Sequence, residues 1–167
     1  MEKVYDGLWV GADEDSANAK SRGYARLAVC KEGPDGHRQM CDYSTPGATH
    51  NGEYLFAKRG TWAAMNCIDV EHPEMIPTAM IIQGLKFIHA QLKAGRKILV
   101  HCNAGRSRGP SMVLMYLHAI GELPQGIERA HKIFKTIYPK FDPQRGMRMK
   151  MKELWDQLPK ILGNTSR

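Results

Sequence analysis

A single α/β domain with a central, mostly parallel sheet flanked by helices is the fold class this 167-residue chain predicts. Strand-like runs alternate with helical ones, and the helical segments carry single apolar stripes. The run Ile98-Leu99-Val100 also leads through a short loop into a second hydrophobic stretch, Met112 to Ile120. That pattern reads as a central strand, Lys97 to His101, joined to a buried helix. The length fits one domain spanning residues 1–167.

Taken in order, Leu8 to Gly11 reads as a strand and "ADEDSANAKSRG" as a polar helix or turn ending at Gly23. Arg26 to Cys30 is a second strand, and the Gly-, Pro- and Asp-rich stretch from Lys31 to Gly52 is loop. "EYLFAKRGTWAAMNCID" predicts a hairpin about Lys58-Arg59-Gly60, then a strand running to Asp69. Ile81, Leu85, Ile88 and Leu92 form one helical stripe, stopped at Gly95. Ile127, Ala130, Phe134 and Ile137 form another, ended by Pro139. Asp142-Pro143 reads as an N-cap with proline at N1, opening a last helix with Met147, Met151, Leu154 and Leu158 inward.

Lys and Arg number 24 against 17 Asp and Glu, a net charge of +7 that suits anionic partners without choosing among them. The four cysteines, at 30, 41, 67 and 102, are too scattered for a disulfide framework, and reduced thiols are expected. No apolar run reaches membrane-spanning length and the start, "MEKVYDGLWV", lacks the apolar core of a secretory signal, so a cytoplasmic protein is expected. There is no GxxxxGK[ST] or GxGxxG loop and no nucleic-acid-binding motif. His37 and Cys41 have a spacing a metal could use, but no second ligand pair completes a site; neither metal nor cofactor is expected.

The chemistry concentrates in "HCNAGRSRGPS", residues 101–111. A loop at the carboxyl end of a central strand, entering a helix N-terminus, is where open α/β sheets bind ligands. Free backbone N–H groups there make an anion nest, and Asn103, Ala104, Gly105, Arg106, Ser107 and Arg108 would line it. Gly105 lets the backbone curl, Arg108 offers a planar fork for two phosphate oxygens, and Cys102 lies on the floor. Such a field is expected to favour the thiolate, a nucleophile toward a bound phosphate. A merely buried Cys102 would leave Arg108 unexplained.

H-C-x-x-G-x-x-R resembles the signature loop of the cysteine-based protein tyrosine phosphatases, and the surroundings resemble their dual-specificity branch. "GLWVG" followed by Ala17, "KILVHCNAGRSR" and "AHKIFKTIYPKFDPQ" carry the likeness along nearly the whole chain. Sulfurtransferase loops are similar but usually one residue shorter before the arginine. The resemblance implies a phosphocysteine intermediate and a general acid on a separate loop. Asp69 takes that role best, with Glu71, His72 and Glu74 as weaker neighbours. It implies a supporting role for His101, bonded to loop backbone, and it makes Gly109 a departure, since the family normally places Ser or Thr there to donate to the cysteine sulfur. Without that hydroxyl, phosphocysteine breakdown is expected to limit turnover unless Ser107 or Ser111 substitutes, and Gly109→Ser to speed it.

Phosphorylated proteins are the expected substrates and a monomer the expected state. Arg106, a cation beside the nest, keeps open a non-protein polyanion: a phosphoinositide, a phosphoglycan or an RNA 5′-phosphate. Arg145, Arg148 and Lys152 share one face of the last helix and could extend a basic surface. A phosphate-binding module of low turnover is the alternative that Gly109 suggests.

Overall fold

The structure is a computed structural model that describes residues 1–44 and 52–163. Six strands form one sheet: β1 (Glu2–Tyr5), β2 (Leu8–Ala12), β3 (Ala25–Ala28), β4 (Phe56–Arg59), β5 (Trp62–Met65) and β6 (Ile98–Cys102). Their order across the sheet is β1-β2-β6-β3-β5-β4. The four inner strands run parallel, and β1 and β4 add antiparallel edges. The fold class matches that expected, and β6, last in the chain, lies between β2 and β3.

The helices are α1 (Ser16–Ser21), α2 (His37–Cys41), α3 (Thr78–Lys93), α4 (Arg108–Ala119), α5 (Ile127–Ile137), α6 (Arg145–Leu154) and α7 (Leu158–Ile161). All twelve residues of α4 are buried, as the unbroken apolar run predicts. Ile81, Leu85 and Ile88 of α3 bury fully against the same core, while Leu92 packs at its margin. No helix among the described residues is long and apolar enough to cross a membrane.

Five expectations need correction. β1 went unread: it is a four-residue, largely half-exposed edge strand without a clear alternation. The loop after β3 contains α2, a single turn anchored because the His37 ring bonds the Tyr43 hydroxyl at 3.0 Å and the Glu53 carbonyl at 2.6 Å; residues 45–51 of that loop lie outside the described residues. The strand after the hairpin stops at Met65, four residues short of Asp69. Ile137 is exposed, and Tyr138 fills the core in its place. The last helix begins at Arg145 with Gln144 as its N-cap. Asp142 does not cap it: the helix starts three residues further on, and the Asp142 carboxylate lies 3.4 Å from the Arg106 guanidinium while its N–H donates to the Arg106 carbonyl at 2.8 Å.

Phe134 joins α5 to this core. It is fully buried and meets Phe141 edge-on at 5.1 Å. Phe134→Ala is expected to destabilise the fold by about 3–5 kcal/mol, read from the midpoint of urea unfolding; a change below about 1 kcal/mol would mean that α5 packs less firmly than this contact requires.

Candidate active site

Cys102 ends β6, only 2% exposed, and residues 103–107 carry the chain to α4. Among the described residues, the backbone N–H groups of residues 103–107 find no backbone acceptor, so the loop keeps its donors for a ligand. Gly105 sits at φ +65°, and a Cβ there would lie 2.8 Å from the Gly11 carbonyl oxygen of β2. Both the backbone angle and the space require glycine. The Tyr138 hydroxyl donates to the Gly105 carbonyl at 2.7 Å and pins the loop from the other side.

Arg108, 8% exposed, bonds with two of its nitrogens at once. One donates to the Cys67 carbonyl at 2.9 Å and another to Asn103 Oδ1 at 2.7 Å, while Nε has no hydrogen-bond partner. The chain leaves the sheet after Met65 and so presents that Cys67 carbonyl, which also accepts from the Lys31 N–H at 3.1 Å. The same excursion delivers Asp69, whose Oδ2 lies 3.8 Å from Arg108 Nε. Asp69 Oδ1 accepts from the Ser107 hydroxyl at 3.2 Å, and that oxygen accepts the Gln144 N–H at 3.0 Å. The Cys102 loop and the Asp69 segment are thus drawn together, with α6 as the brace.

That brace depends on Gly146. Its N–H donates to the Val70 carbonyl at 3.0 Å, and a Cβ at this position would overlap that carbonyl. The weaker acid candidates lie outside the arrangement: Glu71 lends its carbonyl to Arg145 at 3.0 Å, and exposed His72 and Glu74 face each other at 3.7 Å.

Asp13 belongs to the site although sequence reasoning passed over it. Asn103 Nδ2 donates to its Oδ2 at 2.8 Å and to the Glu32 carbonyl at 2.9 Å, so a chain of bonds runs from Asp13 through Asn103 to Arg108. Burial alone would raise the Asp13 carboxyl, but His101, Asn103 and the Arg108 charge overcome this and hold it below the usual carboxylate range. The acidic "DED" after β2 was its one signal, and nothing in that run distinguishes it from a solvated turn.

His101 differs from expectation. Its ring is fully buried, and neither nitrogen bonds loop backbone; Nδ1 faces Asp13 Oδ1 at 3.4 Å without a well-formed hydrogen bond. Arg106 points outward, 62% exposed, with Asp142 Oδ2 at 3.4 Å from its guanidinium, so its charge is partly matched. Gly109 packs on β6: a Cβ there would sit 3.0 Å from the His101 carbonyl carbon and 3.2 Å from the Cys102 nitrogen. Ser107 spends its one proton on Asp69, whereas the buried Ser111 hydroxyl has no partner among the described residues.

The other three thiols are poor nucleophiles. Burial pushes Cys30 and Cys67 up to about 12 each and raises Cys41 as well. Asp13, Cys30 and His101 bring potential metal-ligand atoms within 4.8 Å of one another. They fit an ion poorly, because the Cys30 thiol is held protonated and Asp13 is already engaged by Asn103. At the pair singled out by spacing, Cys41 Sγ lies 3.6 Å from His37 Nε2, a nitrogen already bonded to the Glu53 carbonyl.

The sequence profile described as "Dual specificity phosphatase, catalytic domain" matches residues 49–157. Dual specificity protein phosphatase 22-A of Danio rerio is 24% identical over 153 residues, which cover 92% of this chain and 64% of that protein. The chain therefore spans less than two thirds of that relative's length. Among solved structures, DUSP15 superposes with a TM-score of 0.66 at 22% identity, covering 97% of this chain and 92% of that one. Human DUSP28 superposes at 0.64 and 18% identity, covering 94% and 93%. At these identities the structural likeness speaks for the fold.

Gly146→Ala is expected to push α6 off the Asp69 loop at a cost of about 1–3 kcal/mol. Hydrogen exchange should rise at the Gly146 N–H and across residues 69–72; unchanged protection there would show that the loop does not rest on this contact.

Proposed function

The chain belongs to the family of dual specificity phosphatase catalytic domains, and on that premise we propose that it hydrolyses phosphotyrosine and phosphoserine or phosphothreonine in proteins through Cys102, with residues 1–167 acting as one catalytic unit. One observation carries the reading: a buried cysteine and arginine share an anion-binding loop, and a carboxylate on a separate segment is held against that loop through Ser107.

The phosphoryl oxygens take the loop N–H groups and the Arg108 fork, with Asn103 and Asp13 keeping Arg108 in place. The Cys102 sulfur, as thiolate, attacks phosphorus in line; the S–P bond forms as the ester O–P bond breaks. Asp69, in its protonated form, gives its proton to the departing seryl, threonyl or tyrosyl oxygen. Water then attacks phosphocysteine, Asp69 takes the water's proton, and phosphate leaves as the thiolate is restored. No metal enters this sequence. The outward, carboxylate-paired Arg106 adds little to the nest, which favours a protein over a multiply phosphorylated lipid or glycan.

Cys102→Ser is expected to abolish phosphate release while vanadate still binds, and a chelator to leave wild-type activity intact. Asp69→Ala should slow phosphopeptide hydrolysis roughly 10²–10⁴-fold and slow an activated aryl phosphate much less. Equal losses on both substrates would remove Asp69 from the acid role.

With Gly109 lacking a hydroxyl and Ser107 committed to Asp69, breakdown of phosphocysteine is expected to limit turnover, and an absent burst would give the donor's part to the unpartnered Ser111 hydroxyl. Rapid quench should show a burst of leaving group. Against the expectation from the family pattern, we predict that Gly109→Ser is slower and less stable by about 1–3 kcal/mol, because its Cβ would crowd the β6 backbone at 3.0–3.2 Å. A faster variant would mean that the strand yields and the hydroxyl matters more.

A further inference from the structure

Between α5 and α6 lies a groove of about 410 Å³ that the proposed reaction does not use. Its floor is apolar, from Phe141 and Met151, and its walls carry His131, Lys132 and Lys135 from α5 with Arg148 and Lys152 from α6. Two carboxylates border it, and each has its own cation: Glu128 lies 3.6 Å from Lys152, and Asp142 pairs with Arg106 outside the groove. Lys135 and Arg148 instead donate to the Phe141 and Pro143 carbonyls, at 3.0 Å each, which fixes their positions without cancelling their charge. Lys132 has no ion pair among the described residues. Three cations thus converge on one hollow without a carboxylate of their own.

The position of this hollow connects it to the candidate active site. The wall segment, Asp142 to Gln144, is tied to the signature loop by the Asp142 N–H on Arg106 and the Gln144 N–H on Ser107 Oγ. The groove wall and the signature loop are therefore direct neighbours, bonded to each other at Asp142.

Resting on the phosphatase reading above, we propose that this groove is a second anion subsite, which takes a phosphorylated or acidic residue flanking the phosphoresidue of a protein substrate. The state of His131 agrees with this. Burial lowers its pKa, and Lys135, Arg148 and Lys152 press the same way against the opposing Glu128, which favours the neutral ring with one N–H to offer. Its ring packs tilted against Phe141, with ring centroids 4.7 Å apart. Guanidinium, ammonium and imidazole donors around an apolar floor suit a phosphate or carboxylate carried on a side chain.

The test reverses charge at the two walls with Lys132→Glu and Lys152→Glu, together and singly, positions outside the reaction machinery. For wild type, a peptide with a second phosphate or a Glu two to four residues from the phosphotyrosine should show a KM about tenfold below that of a neutral-flanked peptide at low salt. The advantage should fade at high salt. The double variant should lose it while hydrolysing a small aryl phosphate as wild type does. Fluorescence anisotropy of the same labelled peptides in the Cys102→Ser background reads the subsite without turnover, so an enzyme inactive on every phosphate would refute the phosphatase reading and still leave the groove decided. Equal affinity for both peptides, or an advantage that survives charge reversal, overturns the proposal. Loss of binding to phosphoinositide vesicles in the same variant, with peptides unaffected, also overturns it and gives the groove to a membrane surface.

Discussion

A guanidinium buried at the N-terminus of a buried helix sets the terms for everything around it. Arg108 adds a full positive charge to the positive end of the α4 dipole, where little water can solvate either. Two neutral oxygens, from Cys67 and Asn103, satisfy part of its donor set; the nearest carboxylate stands off at 3.8 Å and Nε remains unbonded. The remaining demand is for an anion, and the free loop amides face the same demand. The site is therefore an electrostatic deficit held open by the fold, one that an anion would fill.

Holding it open takes residues from far along the chain. Asp13 reaches in from the end of β2, Cys67 from the departure after β5, Tyr138 from the end of α5 and Gln144 from the start of α6. Tyr138 and Gln144 make neutral hydrogen bonds worth about 0.5–1.5 kcal/mol net each, and the bonds to the Asp13 carboxylate and from the Arg108 guanidinium are charge-assisted, about 1.5–3 kcal/mol. Together they fix a loop that has no secondary structure of its own, and the bonds form one network rather than independent props.

The central strand, the signature loop and the buried helix were legible because local pattern and local chemistry coincide there: an apolar run, a glycine-bearing turn and a helix apolar on nearly every face within about two dozen residues. The stripes of α3 and α6 were legible for the same reason. The failures occurred where tertiary bonds override local preference. Asp142-Pro143 has the composition of a helix start, yet its N–H serves the signature loop and the helix begins later. α2 owes its single turn to a histidine bonded to residues beyond it, and β1 is an edge strand whose backbone pairs with β2 on one side. Asp13 resembled any surface acid until the sheet brought it to Asn103. Gly109 could be recognised as a departure from the sequence alone, but the strand backbone that occupies the missing side chain's space could not.

The placement of β6 has a kinetic meaning as well. Its parallel partners lie far back in the chain, and the pairs that shape the loop, such as Asp13 with Asn103, are 90 residues apart. Closing so large a loop is entropically unfavourable until the sheet rewards it, so the anion nest cannot assemble from its own segment. During synthesis the first three inner strands emerge long before the fourth, leaving a gap in the sheet at the place the nucleophile will occupy. Nucleophile loop and sheet centre therefore arise in one late event, and a chain that binds phosphate here has already folded.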